Sequence, residues 1–111
     1  MTNKGYRTLI KEVNDYLVLK RPFGAIMIVD SSTDDVKIFD RNDSNAECPY
    51  YSAIQYMLMI CTKWISSDIH ATEDDFTPEG LLWDCIITND FGDVMGVYIQ
   101  DEDFNFMRIG Y

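Results

Sequence analysis

The sequence predicts an α+β fold: one mainly antiparallel sheet with two helices packed on one face, in the order α-β-β-α-β-β-β, within a single domain spanning residues 1–111. Three observations lead there. Two segments carry apolar residues at three- and four-residue spacing, as amphipathic helices do. Five shorter runs are rich in β-branched and aromatic residues. Short polar turns separate most neighbouring runs, and connections that short join antiparallel strands. With 111 residues, 47% hydrophobic and 14% aromatic, the chain can bury a core without a metal or a disulfide to staple it.

The first helix is expected over residues 4–19, where Tyr6, Leu9, Ile10, Val13, Tyr16 and Leu17 form one stripe. Thr2 or Asn3 can cap it, and it ends near Lys20 because Pro22 disfavours a helical residue before it. Phe23 to Val29 reads as a strand, Asp30 to Asp35 as a turn, and Val36 to Phe39 as the returning strand of a hairpin. Arg41 to Glu47 is polar loop. Pro49 marks the start of the second helix, since a proline at the first helical position loses no intrahelical bond, and the helix runs to Ile65 or Ser66. Ala53, Ile54, Met57, Leu58, Ile60, Cys61, Trp64 and Ile65 make its apolar stripe so wide that it belongs at the centre of a core or in a subunit interface. Residues 67–80 are expected to be a long acidic loop, with Thr72 to Asp75 able to open one helical turn. A three-strand meander follows: Leu81 to Thr88, Val94 to Ile99 and Phe104 to Ile109. Its turns are Asn89 to Asp93 and Asp101-Glu102-Asp103.

The net charge is −10, and its distribution says more than its size. Residues 1–41 hold seven Lys/Arg and six Asp/Glu, whereas residues 42–111 hold two Lys/Arg and thirteen Asp/Glu. Direct nucleic-acid binding is therefore not expected, because phosphate contacts need Lys and Arg. The longest apolar run, Tyr56 to Cys61, is far too short to cross a bilayer, which takes about 20 residues. No apolar stretch of signal-peptide length follows the N-terminal charges. Cys48, Cys61 and Cys85 are odd in number and widely spaced, which argues against a disulfide framework or a zinc site and for a reducing cytoplasm.

Turn composition accounts for where the acids lie, because Asp suits turns. It does not account for the near absence of Lys from the same turns. An acidic surface that imitates a phosphate array and steers a basic protein onto itself does account for it. The residues expected to contact such a partner are Glu73, Asp74, Asp75, Asp90, Asp93, Asp101, Glu102 and Asp103, with Phe76 and Phe91 as apolar anchors among them. Phe104 and Tyr111 are further candidates for exposed aromatics. The function expected is that of a small acidic inhibitor, a nucleic-acid mimic of the phage counter-defence or toxin-immunity type. Its partner would be a nuclease, a CRISPR- or restriction-type effector or a toxin. No catalytic residue, cofactor or metal ligand is assigned.

Two alternatives are of other classes. One is an adaptor or dimerisation module, with the helix from Pro49 supplying a homodimer interface. The other is a thiol hydrolase using Cys48 at that helix's N-terminus, His70 as base and Asp68, Asp84 or Asp90 as orienter. Asp40, Asn42 and Ser44 begin like a calcium loop, but Asn45 stands where the loop needs Gly and Tyr51 where it needs an acid. Asp90-Phe91-Gly92 matches a protein-kinase tripeptide in a chain with no Gly-rich or catalytic loop to go with it.

Overall fold

The computed structural model describes residues 5–20, 24–41, 47–67, 77–88 and 93–109. Helix α1 runs Tyr6–Lys20 and buries Leu9, Ile10, Val13, Asn14 and Leu17; of the stripe its spacing predicts, Tyr6 is exposed and Tyr16 half-buried, and Asn14 joins the buried side. Strands β1 (Ile26–Asp30) and β2 (Val36–Phe39) form the expected hairpin, with Ile26 opposite Phe39 and Val29 opposite Val36. Helix α2 occupies Tyr51–Ser67, with Pro49 and Tyr50 in the turn that leads into it. Strands β3 (Met95–Gln100) and β4 (Phe106–Arg108) close a four-stranded sheet ordered β2-β1-β3-β4, antiparallel throughout.

One element differs from expectation in kind, and the last strand begins at Phe106, with Phe104 left in the turn before it. Leu81 to Thr88 is not a strand: helix α3 covers Pro78–Trp83 and a single π-helical turn carries on over Asp84–Thr88. The chain order is therefore α-β-β-α-α-β-β, and the acidic segment before α3 ends earlier than residue 80. The run does alternate at Leu81, Trp83, Cys85 and Ile87. The residues actually buried are Leu81, Leu82, Cys85 and Ile86, which is helical spacing. The start signal is local: the Thr77 hydroxyl accepts the Gly80 N–H at 3.0 Å, and Pro78 follows in the first turn.

Helix α2 explains why a helix is needed there. Its apolar residues span two rows. On one side Tyr56 meets Phe39 of β2 with ring centroids 5.6 Å apart, and Lys63 reaches Asp30 of β1. On the other side Cys61 lies against Cys85 of the π turn, and Leu58 shares a groove with Pro78 and Glu79 of α3. A strand at 81–88 would extend the sheet and leave that second row wet. Helix α1 packs on α2, α3 and the π turn, so the helices pack on one another as well as on the sheet.

Two buried polar groups tie the helical layer to the sheet. The Asn14 side-chain oxygen of α1 accepts the Tyr50 N–H at 3.1 Å, satisfying a donor at the entrance to α2. The Tyr50 hydroxyl in turn donates to the Gly24 carbonyl at 3.2 Å, just before β1.

If Thr77 starts α3 as described, Thr77→Ala should lower stability by about 1 kcal/mol. Urea unfolding checks this as a lower midpoint with an unchanged slope.

Candidate functional site

Two acidic turns, one at each end of the sheet, are built on an aspartate that serves the backbone. At one end, Asp30 closes β1. Its Oδ1 accepts the Ser32 N–H at 3.0 Å and the Ser32 hydroxyl at 2.7 Å, and its Oδ2 accepts Lys63 Nζ at 3.1 Å. Its carbonyl accepts the Asp34 N–H at 2.7 Å. Asp34 takes φ 60°, a left-handed conformation that Asp tolerates better than most residues. The turn so held presents Asp34 and Asp35 to solvent. Asp93, also exposed, lies at the same end, because β3 begins opposite Asp30.

At the opposite end, Asp101 organises the β3–β4 turn. Its Oδ1 accepts the N–H groups of Asp103 and Asn105, both at 2.9 Å, and its own N–H donates to the Asn105 carbonyl at 2.7 Å. Glu102 and Asp103 are exposed on this turn. Asp40, just past β2, is exposed at the same end.

The structure thus separates acids that the sequence treats as one group. Asp93 lies at one end of the sheet and Asp101, Glu102 and Asp103 at the other, across the six residues of β3, roughly 20 Å. The Debye length in physiological salt is about 8 Å, so the ends act as two fields and not as one patch. Glu73, Asp74, Asp75, Phe76, Asp90 and Phe91 lie outside the described residues, as does His70.

Several lysines are engaged away from the exposed acids of these turns. Lys11 pairs with Asp15 at 3.1 Å, Lys20 stands over the Tyr16 ring, Lys37 over Phe39 and Tyr56, and Lys63 on Asp30. Those four cations answer local partners.

Phe104 carries a feature that pattern reading undervalues. It is 79% exposed and holds φ 65°, a left-handed backbone that costs a bulky side chain roughly 1–2 kcal/mol. Its N–H donates to the Asp101 carbonyl at 3.1 Å, so the turn geometry imposes the conformation. A large aromatic is displayed among acids at an energetic cost. The signal in the sequence was its place after Asp101-Glu102-Asp103, where a Gly or Asn would be the ordinary choice.

The other candidates resolve differently. Helix α2, expected at the centre of a core or in a subunit interface, buries Ala53, Ile54, Met57, Leu58, Ile60 and Cys61 inside its own chain. Cys48 is half-buried, and its carbonyl accepts the Tyr51 N–H at 3.0 Å. The Cys61 thiol is pushed far up by its hydrogen bond to Cys85 and by burial, which leaves it a core residue and not a nucleophile. Among the described residues there is no group of three or more His, Cys, Asp or Glu that could hold a metal, and no helix is long and apolar enough to cross a membrane.

Burial alone would raise the Asp30 carboxyl, but the Ser32 hydroxyl and amide and the Lys63 ammonium outweigh it and hold the group below its ordinary value of 3.8. Such a carboxylate contributes its stability in full above the ordinary value and loses it as pH falls through the lower folded value. Asp30→Asn should therefore cost about 2 kcal/mol near neutral pH. The gap between variant and parent in urea melts should close as pH drops below 3.8. Phe104→Gly should stabilise the fold by about 1 kcal/mol by relieving the left-handed strain, read as a raised unfolding midpoint.

Compared with known proteins, the chain matches no family model, no curated protein and no solved structure.

Proposed function

We propose that this protein is a small acidic antagonist acting in the cytoplasm, which covers the basic, nucleic-acid-binding face of another protein and so denies that face to its substrate. A nuclease, a CRISPR- or restriction-type effector or a toxin has the required surface, as a counter-defence or immunity protein would meet it. The activity is occlusion with electrostatic steering, not catalysis. The observation that carries this reading is the display of carboxylates on turns at both ends of one sheet. Those turns are hydrogen-bonded into fixed shapes by Asp30 and Asp101, so little ordering is left to pay for on binding. Phe104 supplies an apolar anchor at one of the two ends.

Residues for the test divide by role. Asp101 holds the turn together and is left alone, whereas Glu102 and Asp103 are exposed and can be reversed. The protein is immobilised and exposed to nuclease-treated lysate of its natural host at low and high salt. Capture of a basic nucleic-acid-binding protein that salt releases is the expected result. The double reversal Glu102→Lys with Asp103→Lys should weaken that capture at least about tenfold, the effect of losing roughly 1.4 kcal/mol, while the thermal midpoint stays within a few degrees. Undiminished capture by the reversed variant, with the same salt dependence, would count against the acidic reading.

A further inference from the structure

The helices cover one face of the sheet. The register places Met27, Val29, Val36, Ile38, Tyr98 and Phe106 on the other, with Gly96, Gln100 and Arg108 among them, Arg108 opposite Tyr98. Val36 and Ile38 are 56% and 55% exposed. Gly96 keeps this surface flat: a Cβ there would come within 3.0 Å of the Tyr98 ring. No element of the described residues covers this largely apolar face, and a face of that kind rimmed by polar turns is the mark of an interaction surface.

Charge decides what can cover it. The strands run from the Asp34, Asp35 and Asp93 end to the Asp101, Glu102 and Asp103 end, so this face is bounded by carboxylates in both directions along the strands. A second copy stacked on it with strands aligned would set acids against acids at each end, in molecules each carrying −10. Nucleic acid and anionic lipid are repelled for the same reason. Size argues the same way. Four strands of three to six residues cover at most roughly 15 by 20 Å, about 300 Å², well short of the roughly 800 Å² per partner of a stable complex. The contact must run on over the acidic turns, and its partner must be basic there.

From this we infer that the open sheet face is the docking surface, and that its partner is a protein surface with an aromatic or aliphatic centre flanked at both ends by Lys and Arg. The inference rests on the acidic-antagonist reading and narrows it. Surfaces that bind single-stranded nucleic acid have this make-up, aromatic platforms set in a positive groove. Surfaces that only track duplex phosphates lack the apolar centre.

The probe is a soluble synthetic peptide with a Trp-Val-Trp centre and Lys/Arg clusters at both ends. It is compared with a Ser-centred peptide carrying the same ends, and binding is followed by NMR on the full chain. The expected result is perturbation of Met27, Val29, Ile38 and Tyr98 together with both acidic turns, and binding at least about tenfold weaker for the Ser-centred peptide. Val36→Ser with Ile38→Ser should weaken the Trp-Val-Trp peptide by a similar factor and leave the dependence on salt intact; both residues are exposed, and an unchanged thermal midpoint shows that the fold survives. Equal binding of the two peptides, or shifts confined to the turns, overturns the sheet-face inference and leaves the acidic reading standing. Binding indifferent to salt overturns the acidic reading itself. Concentration-dependent shifts on the same face without peptide identify a second copy as the occupant and overturn the inference.

Discussion

Helix α2 is apolar on two sides, and a helix of that kind must be covered twice. The sheet covers one row through Phe39, Ile26 and Ile28, and the α3–π segment covers the other through Leu81, Leu82 and Cys85. Burying a Leu or Ile side chain contributes roughly 1.5–3 kcal/mol, so leaving either row in water would consume most of a small domain's net stability. That single requirement sets the layering. It draws residues 78–88 out of the sheet, limits the sheet to four strands and brings all the helices to one side of it.

Once the helices share one side, the opposite face of the sheet has no partner within the described chain. The same layering places the hairpin turns at the two short ends of the sheet. Asp30 and Asp101 each spend a carboxylate oxygen on backbone N–H groups of the turn that follows, a local alternative to strand pairing that short polar side chains offer. The acids beside them are then free to face outward. The division of labour is between one aspartate per turn that builds it and neighbours such as Asp34, Asp35, Glu102 and Asp103 that give it a field.

The fold itself fixes the shape and charge of these turns. Lys63 neutralises the buried Asp30 and leaves the exposed acids alone. Phe104 occupies a strained backbone position that a smaller residue would fill at lower cost. Between the two acidic ends lies a largely apolar strip that also carries Arg108 and Gln100, with Tyr98 laid over Gly96. A basic partner with an apolar centre satisfies all three features together.

Several elements were legible from the chain alone, because their information is local. The stripe of α1, the β1–β2 hairpin, the β3–β4 pair and the acidity of the turns follow from residue spacing and turn chemistry within a few positions. The helical state of 81–88 was half legible. Thr77-Pro78 announces a helix start, but Leu81 to Thr88 fits both a period of two and a period of 3.6, and only the need to cover the second row of α2 decides between them. The division of the acids was not legible at all. Asp93 and Asp101 stand eight positions apart in the chain and at opposite ends of the sheet because β3 runs between them. What the sequence by itself determined is the sign of the surface and the presence of an amphipathic core. Which acids stand together, and which face of the sheet stays open, only the tertiary structure decided, because both depend on strand register and on where the helices pack.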